Sequence, residues 1–276
     1  MTGDVIALGG APPAPRRSAV RQCWVLALRL VRPSLRNGEV LTALLSPAVF
    51  TLGFYVPLNK VMGFAGHGLS SYGQFLMPMI VLQGVSFCGT AAAFRAATDA
   101  RDGLDTRFAT MPMPSVTPLA ARTTAAVYRI AIALVSALVC GYVVGFRFAG
   151  SGWETAGFLC FSLLLGLLLC LLGDLLGALS KSPEATTQAL VLPQLILGMV
   201  STGFAPAAQF PDWIRGFARD QPVSQFVDAL RVLGGDPGGR AGVVGWDTVG
   251  PGLAWVGAGL LAFGGGSVAV ALRRQR

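Results

Sequence analysis

Thr155 to Leu179 reads TAGFLCFSLLLGLLLCLLGDLLGAL, 25 residues with one charged side chain, Asp174. A helix rises 1.5 Å per residue, so about 20 apolar residues cross the ~30 Å hydrocarbon layer of a bilayer. Inside that layer each backbone N–H and C=O must find its partner within the segment, and a helix supplies it. The stretch around 154–179 therefore reads as a membrane span.

Working outward from it, five more segments have the same character, near 40–59, 73–94, 120–146, 186–204 and 249–272. Pro47, Pro78 and Pro193 fall within them, and the first and fifth are expected to kink. Composition agrees. Of 276 residues, 53% are hydrophobic and 12% are charged, about half the ~25% of a soluble domain. That argues against a disordered chain, a fibrous chain and an ordinary soluble enzyme. The predicted fold is an all-α integral membrane protein with six transmembrane helices, an N-terminal interfacial amphipathic helix and short outer-leaflet helices between the fifth and sixth spans. Its expected organisation is a disordered cytoplasmic tail over 1–17, an interfacial helix over 18–38 and a transmembrane domain over 39–272. That domain carries a cytoplasmic loop over 95–118 and an extracytoplasmic helical segment over 205–247.

Orientation comes from the cations. With a cytoplasmic N-terminus, one side holds 14 of the 21 Lys and Arg: Arg16, Arg17, Arg21, Arg29, Arg32, Arg36, Arg95, Arg101, Arg107, Arg122, Lys181, Arg273, Arg274 and Arg276. The other side holds six, Lys60, Arg147, Arg215, Arg219, Arg231 and Arg240, while Arg129 stays within a span. Positive residues favour the cytoplasmic side, so a multi-pass protein of the cell membrane with both termini in the cytoplasm is expected. The net charge of +8 does not point to nucleic acid, because the arginines lie between apolar runs rather than on one basic face. Arg16-Arg17 could open a twin-arginine export signal, but Arg21, Arg29, Arg32 and Arg36 interrupt the run from Ser18 to Asn37, and a cleaved signal is rejected.

Several segments look suited to contacts. Over 18–36, Arg21, Arg29, Arg32 and Arg36 fall within an arc of roughly 80° at 100° per residue. Trp24, Ala27, Leu28 and Val31 point mostly the other way, the pattern of a helix lying at the lipid headgroups. In the loop after the second span, Asp99, Arg101, Asp102, Asp105 and Arg107 form a short charged helix, with Leu104, Phe108 and Met111 as its apolar contacts and Pro112 and Pro114 at its end. Such a helix fits a groove on a soluble partner. The alternative is a solvated turn. In the last outer loop Pro222 starts a helix with an apolar stripe of Val223, Phe226, Val227 and Leu230, capped by Gly234-Gly235. Whether it gates the bundle or only covers it stays open.

Chemical motifs are sparse. No Gly-x-x-x-x-Gly-Lys-Ser/Thr occurs, so the chain has no phosphate loop for ATP. The one histidine, His67, has no acid or nucleophile near it in sequence, and Cys23, Cys88, Cys140, Cys160 and Cys170 show no metal-binding spacing. Neither an enzyme nor a metal site is expected. Arg129 and Asp174 lie at similar depths on consecutive spans, and an ion pair between them is expected. Its role is a clamp between spans or, alternatively, a proton or substrate site.

The chain resembles ABC-2 type permeases of the daunorubicin-resistance (Drr) type, most nearly the Drr-type lipid export permeases of mycobacteria. The resemblance rests on Asn37-Gly38-Glu39 entering the first span, Tyr72-Gly-Gln-Phe-Leu-Met-Pro78 opening the second, and Asp99-x-x-x-Gly103-x-x-x-Arg107-Phe108-x-x-Met-Pro112. Gly145-Phe-Arg147, Ser201-x-Gly-Phe-x-Pro206 and Pro222-Val-Ser-Gln before Ala-Leu-Arg231 complete it, over roughly 21–272. It implies a membrane subunit of an ABC exporter. A separate ABC ATPase, in two copies, binds ATP and Mg, and this chain holds no cofactor. The other partners are membrane lipid and a second permease, a different Drr-type chain or a second copy. The loop is then the coupling helix, carrying Asp99, Arg101, Asp102, Gly103, Arg107, Phe108 and Pro112 onto the ATPase, with Arg36 and Glu39 as a second contact. The second and fifth spans line the path, with Gln74, Pro78, Gln83, Ser86, Gln188, Pro193, Gln194 and Ser201 as candidates. The implied cargo is amphipathic, a complex envelope lipid or a hydrophobic antibiotic. A secondary transporter and a scaffold for a lipid-export assembly are the alternative functions.

Overall fold

A computed structural model describes residues 19–36, 38–64, 72–110, 114, 116–180, 182–235 and 244–273. The tail 1–17, Asn37, the loop with His67, Met111, Pro112, Lys181 and residues 236–243 lie outside the described residues. The elements are α1 (Ala19–Ser34), α2 (Glu39–Phe64), α3 (Tyr72–Arg101), α4 (Leu104–Ala109), α5 (Thr117–Val143), α6 (Gly152–Leu179), α7 (Pro183–Met199), a 3₁₀ turn (Ala207–Gln209), α8 (Asp212–Asp220), α9 (Pro222–Leu233) and α10 (Trp246–Arg273). No strand occurs among the described residues.

All six expected segments hold a helix, although the third ends at Val143 and the fifth at Met199, short of the expected 146 and 204. Five of them, α2, α3, α5, α6 and α10, are long and apolar enough to cross a membrane. The remaining one, α7, has 17 residues, about 26 Å of helix, and is short of that length on its own. Helix ends obey local chemistry. Ser151 and Glu154 form a capping box at the start of α6, with Glu154 Oε2 accepting from the Ser151 N–H at 2.6 Å. Ser182 caps α7 by accepting from the Ala185 N–H.

The structure differs from the sequence reading at α3. Charge pattern starts the loop at residue 95, yet the helix runs on to Arg101 for 30 residues, about 45 Å. The reason is composition: Ala91, Ala92, Ala93, Ala96, Ala97 and Ala100 are strong helix formers. The run stops at Gly103, whose φ of 69° is left-handed backbone that a side chain would strain. The separate charged helix is therefore only α4, six residues.

α3 is the central helix, buried over most of its length, and its most extensive contact is with α6. Small residues allow it. A Cβ on Gly173 would lie 2.3 Å from the Gly89 carbonyl oxygen, and one on Gly177 would lie 2.4 Å from that of Ala93. The two backbones thus touch, as membrane helices do where glycine replaces bulk. α2 and α5 pack on the other sides of α3, and α10 lies along α6. α1 packs along α5. Its Ala27 is buried and Leu28 and Val31 half-buried, while Arg21, Arg29, Arg32 and Arg36 are all exposed, in agreement with the helical pattern. Trp24 does not join the packed face but stays 60% exposed.

Candidate functional site

Three places in the bundle hold the polar chemistry: the end carrying α4, the end carrying α9, and a cavity between them.

At the α4 end, four helices bring six charges together. Glu39, in the first turn of α2, forms ion pairs with Arg95 of α3 and, at 3.5 Å, with Arg129 of α5. Asp99 of α3 receives a hydrogen bond from Arg122 of α5 at 2.8 Å. Asp174 of α6, 6% exposed, lies in the field of Arg122, Arg129 and Arg95. Three carboxylates thus face three guanidiniums, and the cluster is neutral as a whole. Neutrality matters because an isolated charge in this setting costs several kcal/mol. This corrects the expected clamp. Arg129 pairs with Glu39 rather than making a two-residue bridge to Asp174, because the first turn of α2 sets a carboxylate beside α5 that distance in sequence conceals. Glu39 and Asp99, expected to face a partner, are turned inward and engaged.

α4 comes directly after this cluster. Its Leu104 and Phe108 line a small crevice with Leu26, Arg29 and Leu30 of α1 and Pro118, Ala121 and Arg122 of α5. Leu104 and Phe108 are thus half-buried within the chain. Arg101, Asp102, Arg107 and Arg36 remain exposed. The exposed charges around α4 and Gly103 thus lie next in the chain to Asp99, which is tied to Arg122 of α5 within the cluster.

At the α9 end the polar groups are structural. Gln74, a candidate path residue, is instead a tie. Its Nε2 donates to the carbonyls of Arg147 and Gly234, and its Oε1 accepts from the Arg147 N–H at 3.0 Å. Arg231, 3% exposed, lies 4.1 Å over the Phe75 ring and donates to Asp228 and to the Thr202 carbonyl. Gln221 donates to the carbonyls of Leu197 and Val200, closing the C-terminus of α7. Ser201 is fully buried in that turn, donating to the Gly198 carbonyl, and is not among the residues lining the cavity. The sequence reading passed over the pairing of Asp228 with Arg231. Its signal was an acid and an arginine three apart on a helix whose stripe is otherwise apolar.

The cavity, about 570 Å³, is walled by α3, α6, α7, α9 and α10. Of the expected path residues, Gln83, Ser86, Pro193 and Gln194 line it. Pro78 is buried in α3, and Gln188 is exposed without being among the lining residues. The walls add what sequence did not assign: Leu168 and Leu172 of α6, and Trp255, Ala258 and Phe263 of α10. No charged side chain is among the lining residues. Across the cavity Gln194 Nε2 of α7 donates to Gln83 Oε1 of α3 at 2.7 Å. Among the described residues no group of three or more His, Cys, Asp or Glu is arranged to hold a metal.

The profile of a family described as "ABC-2 family transporter protein" matches residues 43–269. Over 264 residues the chain is 44% identical to the "Doxorubicin resistance ABC transporter permease protein DrrB" of Mycobacterium tuberculosis, covering 94% of this chain and 91% of that one. It is 25% identical over 192 residues to the "Probable doxorubicin resistance ABC transporter permease protein DrrC" of the same species, covering 70% and 68%. Over 195 residues it is 26% identical to a daunorubicin resistance ABC transporter permease protein of Streptomyces coeruleorubidus, covering 71% and 68%.

Proposed function

The chain belongs to the ABC-2 family of transporter proteins, and from that premise we infer that it is the membrane subunit of an exporter driven by a separate ABC ATPase. It is a multi-pass membrane protein. The α4 end faces the cytoplasm, with both termini, in keeping with the bias of the cations. Two ATPase copies bind ATP and Mg beneath a pair of permeases, this chain with a different Drr-type chain. The named resistance of its relatives supports a hydrophobic antibiotic as cargo, and the apolar cavity suits a lipid equally. Both are amphipathic.

The observation that carries the reading is the mechanical continuity at the α4 end. A six-residue helix joins α3 through a left-handed glycine and shares a small crevice with α1 and α5, and the end of α3 that carries it is tied to α5 through Asp99–Arg122. Nucleotide binding closes the ATPase dimer, and a force on α4 reaches four spans without passing through a flexible loop. The complex then exchanges between two states, because ATP favours one of them. α3 and α7 change their separation, and the cavity between them opens to one side or the other. Arg101, Asp102 and Arg107 remain for the ATPase surface, while Glu39 and Asp99 position the spans behind it.

Crosslinking tests the docking. In a cysteine-free background, Arg107→Cys in the assembled complex should crosslink to the ATPase subunit through a short thiol-reactive bridge. Labelling of that cysteine by an impermeant reagent added outside intact cells would contradict the assignment.

A further inference from the structure

Resting on the reading of the cavity as the cargo site, we propose that Gln83 and Gln194 are its specificity-determining pair, and that the cargo is an uncharged amphiphile whose hydrogen-bonding group takes the place of the bridge between them. The wall is made of Leu, Met, Val, Ala, Gly, Pro and aromatic side chains with four polar residues, Gln83, Ser86, Thr90 and Gln194. Thr90 spends its hydroxyl on the Ser86 carbonyl within its own helix at 3.2 Å. The two amides are different. Each brings a carbonyl and an NH2 group, four hydrogen-bonding sites, and the bridge at 2.7 Å uses one site of each. They join α3 to α7, two helices of the same cavity, and no other polar pair among the lining residues spans it.

This arrangement selects by charge. A cation entering the cavity gives up water and meets no carboxylate, since the lining residues include none. A neutral carbonyl or hydroxyl gives up less and is met by an amide on either side. When a cargo hydroxyl enters between them, it accepts from Gln194 Nε2 and donates to Gln83 Oε1, the two groups that form the bridge, and the α3–α7 bridge opens. Cargo binding and separation of the two helices thereby become one event. The volume of about 570 Å³ lies within the ~300–1,000 Å³ range of small-molecule sites.

The test uses one fluorophore in two charge states. Doxorubicin carries a protonated amine; its N-acetyl derivative is neutral. Binding of each is monitored by fluorescence polarisation to the full complex in phosphatidylcholine nanodiscs, with empty discs subtracted. The expected result is at least ~10-fold tighter binding of the neutral form. Gln83→Leu and Gln194→Leu should each weaken it by about 5–10-fold, the loss of one hydrogen bond. Gln194→Glu should shift the preference toward doxorubicin. Ala258→Trp, which fills the cavity from an exposed wall position, should abolish binding of both. Equal binding of the two forms, or Gln variants that bind as wild type while Ala258→Trp does not bind, overturns the amide pair and leaves the cavity as the site. Undiminished binding in Ala258→Trp overturns the cavity itself. So does loss of the second permease from that variant with probe binding intact, which would give the groove to that partner.

Discussion

Glu39→Ala should be the most damaging single change among the charged residues at the α4 end. Glu39 serves two guanidiniums, Arg95 and Arg129. The Arg129 side chain is 4% exposed and that of Glu39 24%. Removing one partner of a buried pair costs about 3–5 kcal/mol, because the survivor stays desolvated. The partial exposure of Glu39 places this case at the lower end, about 3 kcal/mol. For a chain of this size that corresponds to a fall in Tm of about 6–12 °C. The assay is thermal unfolding of the purified complex in detergent, read from the surviving peak on gel filtration. Arg129→Met alone should cost less, about 1–2 kcal/mol, since Glu39 keeps Arg95. The loss in the double variant Glu39→Ala/Arg129→Met should differ from the sum of the single losses by at least ~1 kcal/mol, in the direction of a smaller loss. The pair Asp174→Asn/Arg129→Met should couple more weakly, because the direct ion partner of Arg129 is Glu39. Additivity within about 0.5 kcal/mol for the first pair, or stronger coupling for the second, would refute the cluster as described.

Gly103→Pro should abolish permease-dependent stimulation of the ATPase while leaving membrane insertion intact, since proline fixes φ near −65° and this position needs 69°; Arg107→Glu should do the same by reversing the exposed charge on α4. Gly177→Leu should leave no monodisperse complex, because its Cβ would sit 2.4 Å from the Ala93 carbonyl oxygen, whereas Gly257→Leu, with nothing within 4 Å, should behave as wild type on gel filtration. Arg231→Met should lower stability by about 2–3 kcal/mol, as half-buried Asp228 and the Thr202 carbonyl lose a donor, and amide exchange over 222–233 should quicken; unchanged exchange there would remove Arg231 as the residue that ties α9 to Thr202.

How far the fold was legible depended on the kind of signal. The spans were readable because hydropathy is local: Leu163 to Leu172 announces a helix in lipid whatever surrounds it. The exposed basic arc of α1 was readable from its period. The start of the charged loop was misplaced because charge suggested a loop while alanine carried the helix on to Arg101. The seam of α3 on α6 had a signal, Gly173-x-x-x-Gly177 facing Gly89-x-x-x-Ala93, whose spacing marks close helix contact. The site was less legible because its pairings are long-range. Glu39, Arg95 and Arg129 come from three helices, and nothing near Arg129 in sequence names its partner. Gln74 and Gln83 look alike in sequence, yet one is tied to the Arg147 and Gly234 backbone and the other faces the cavity. Only the position of the neighbouring helices separates them.

The central claim is that this chain is a passive permease that takes its energy from a separate ATPase. The direct measurement is uptake of a fluorescent amphiphile such as doxorubicin or its N-acetyl derivative into inverted vesicles containing the chain and its second permease, with or without the ATPase subunit, with ATP or a non-hydrolysable analogue, and with the proton gradient collapsed. Accumulation should require the ATPase and hydrolysable ATP and survive loss of the gradient. Uphill accumulation by the permeases alone, driven by the gradient, would contradict the account.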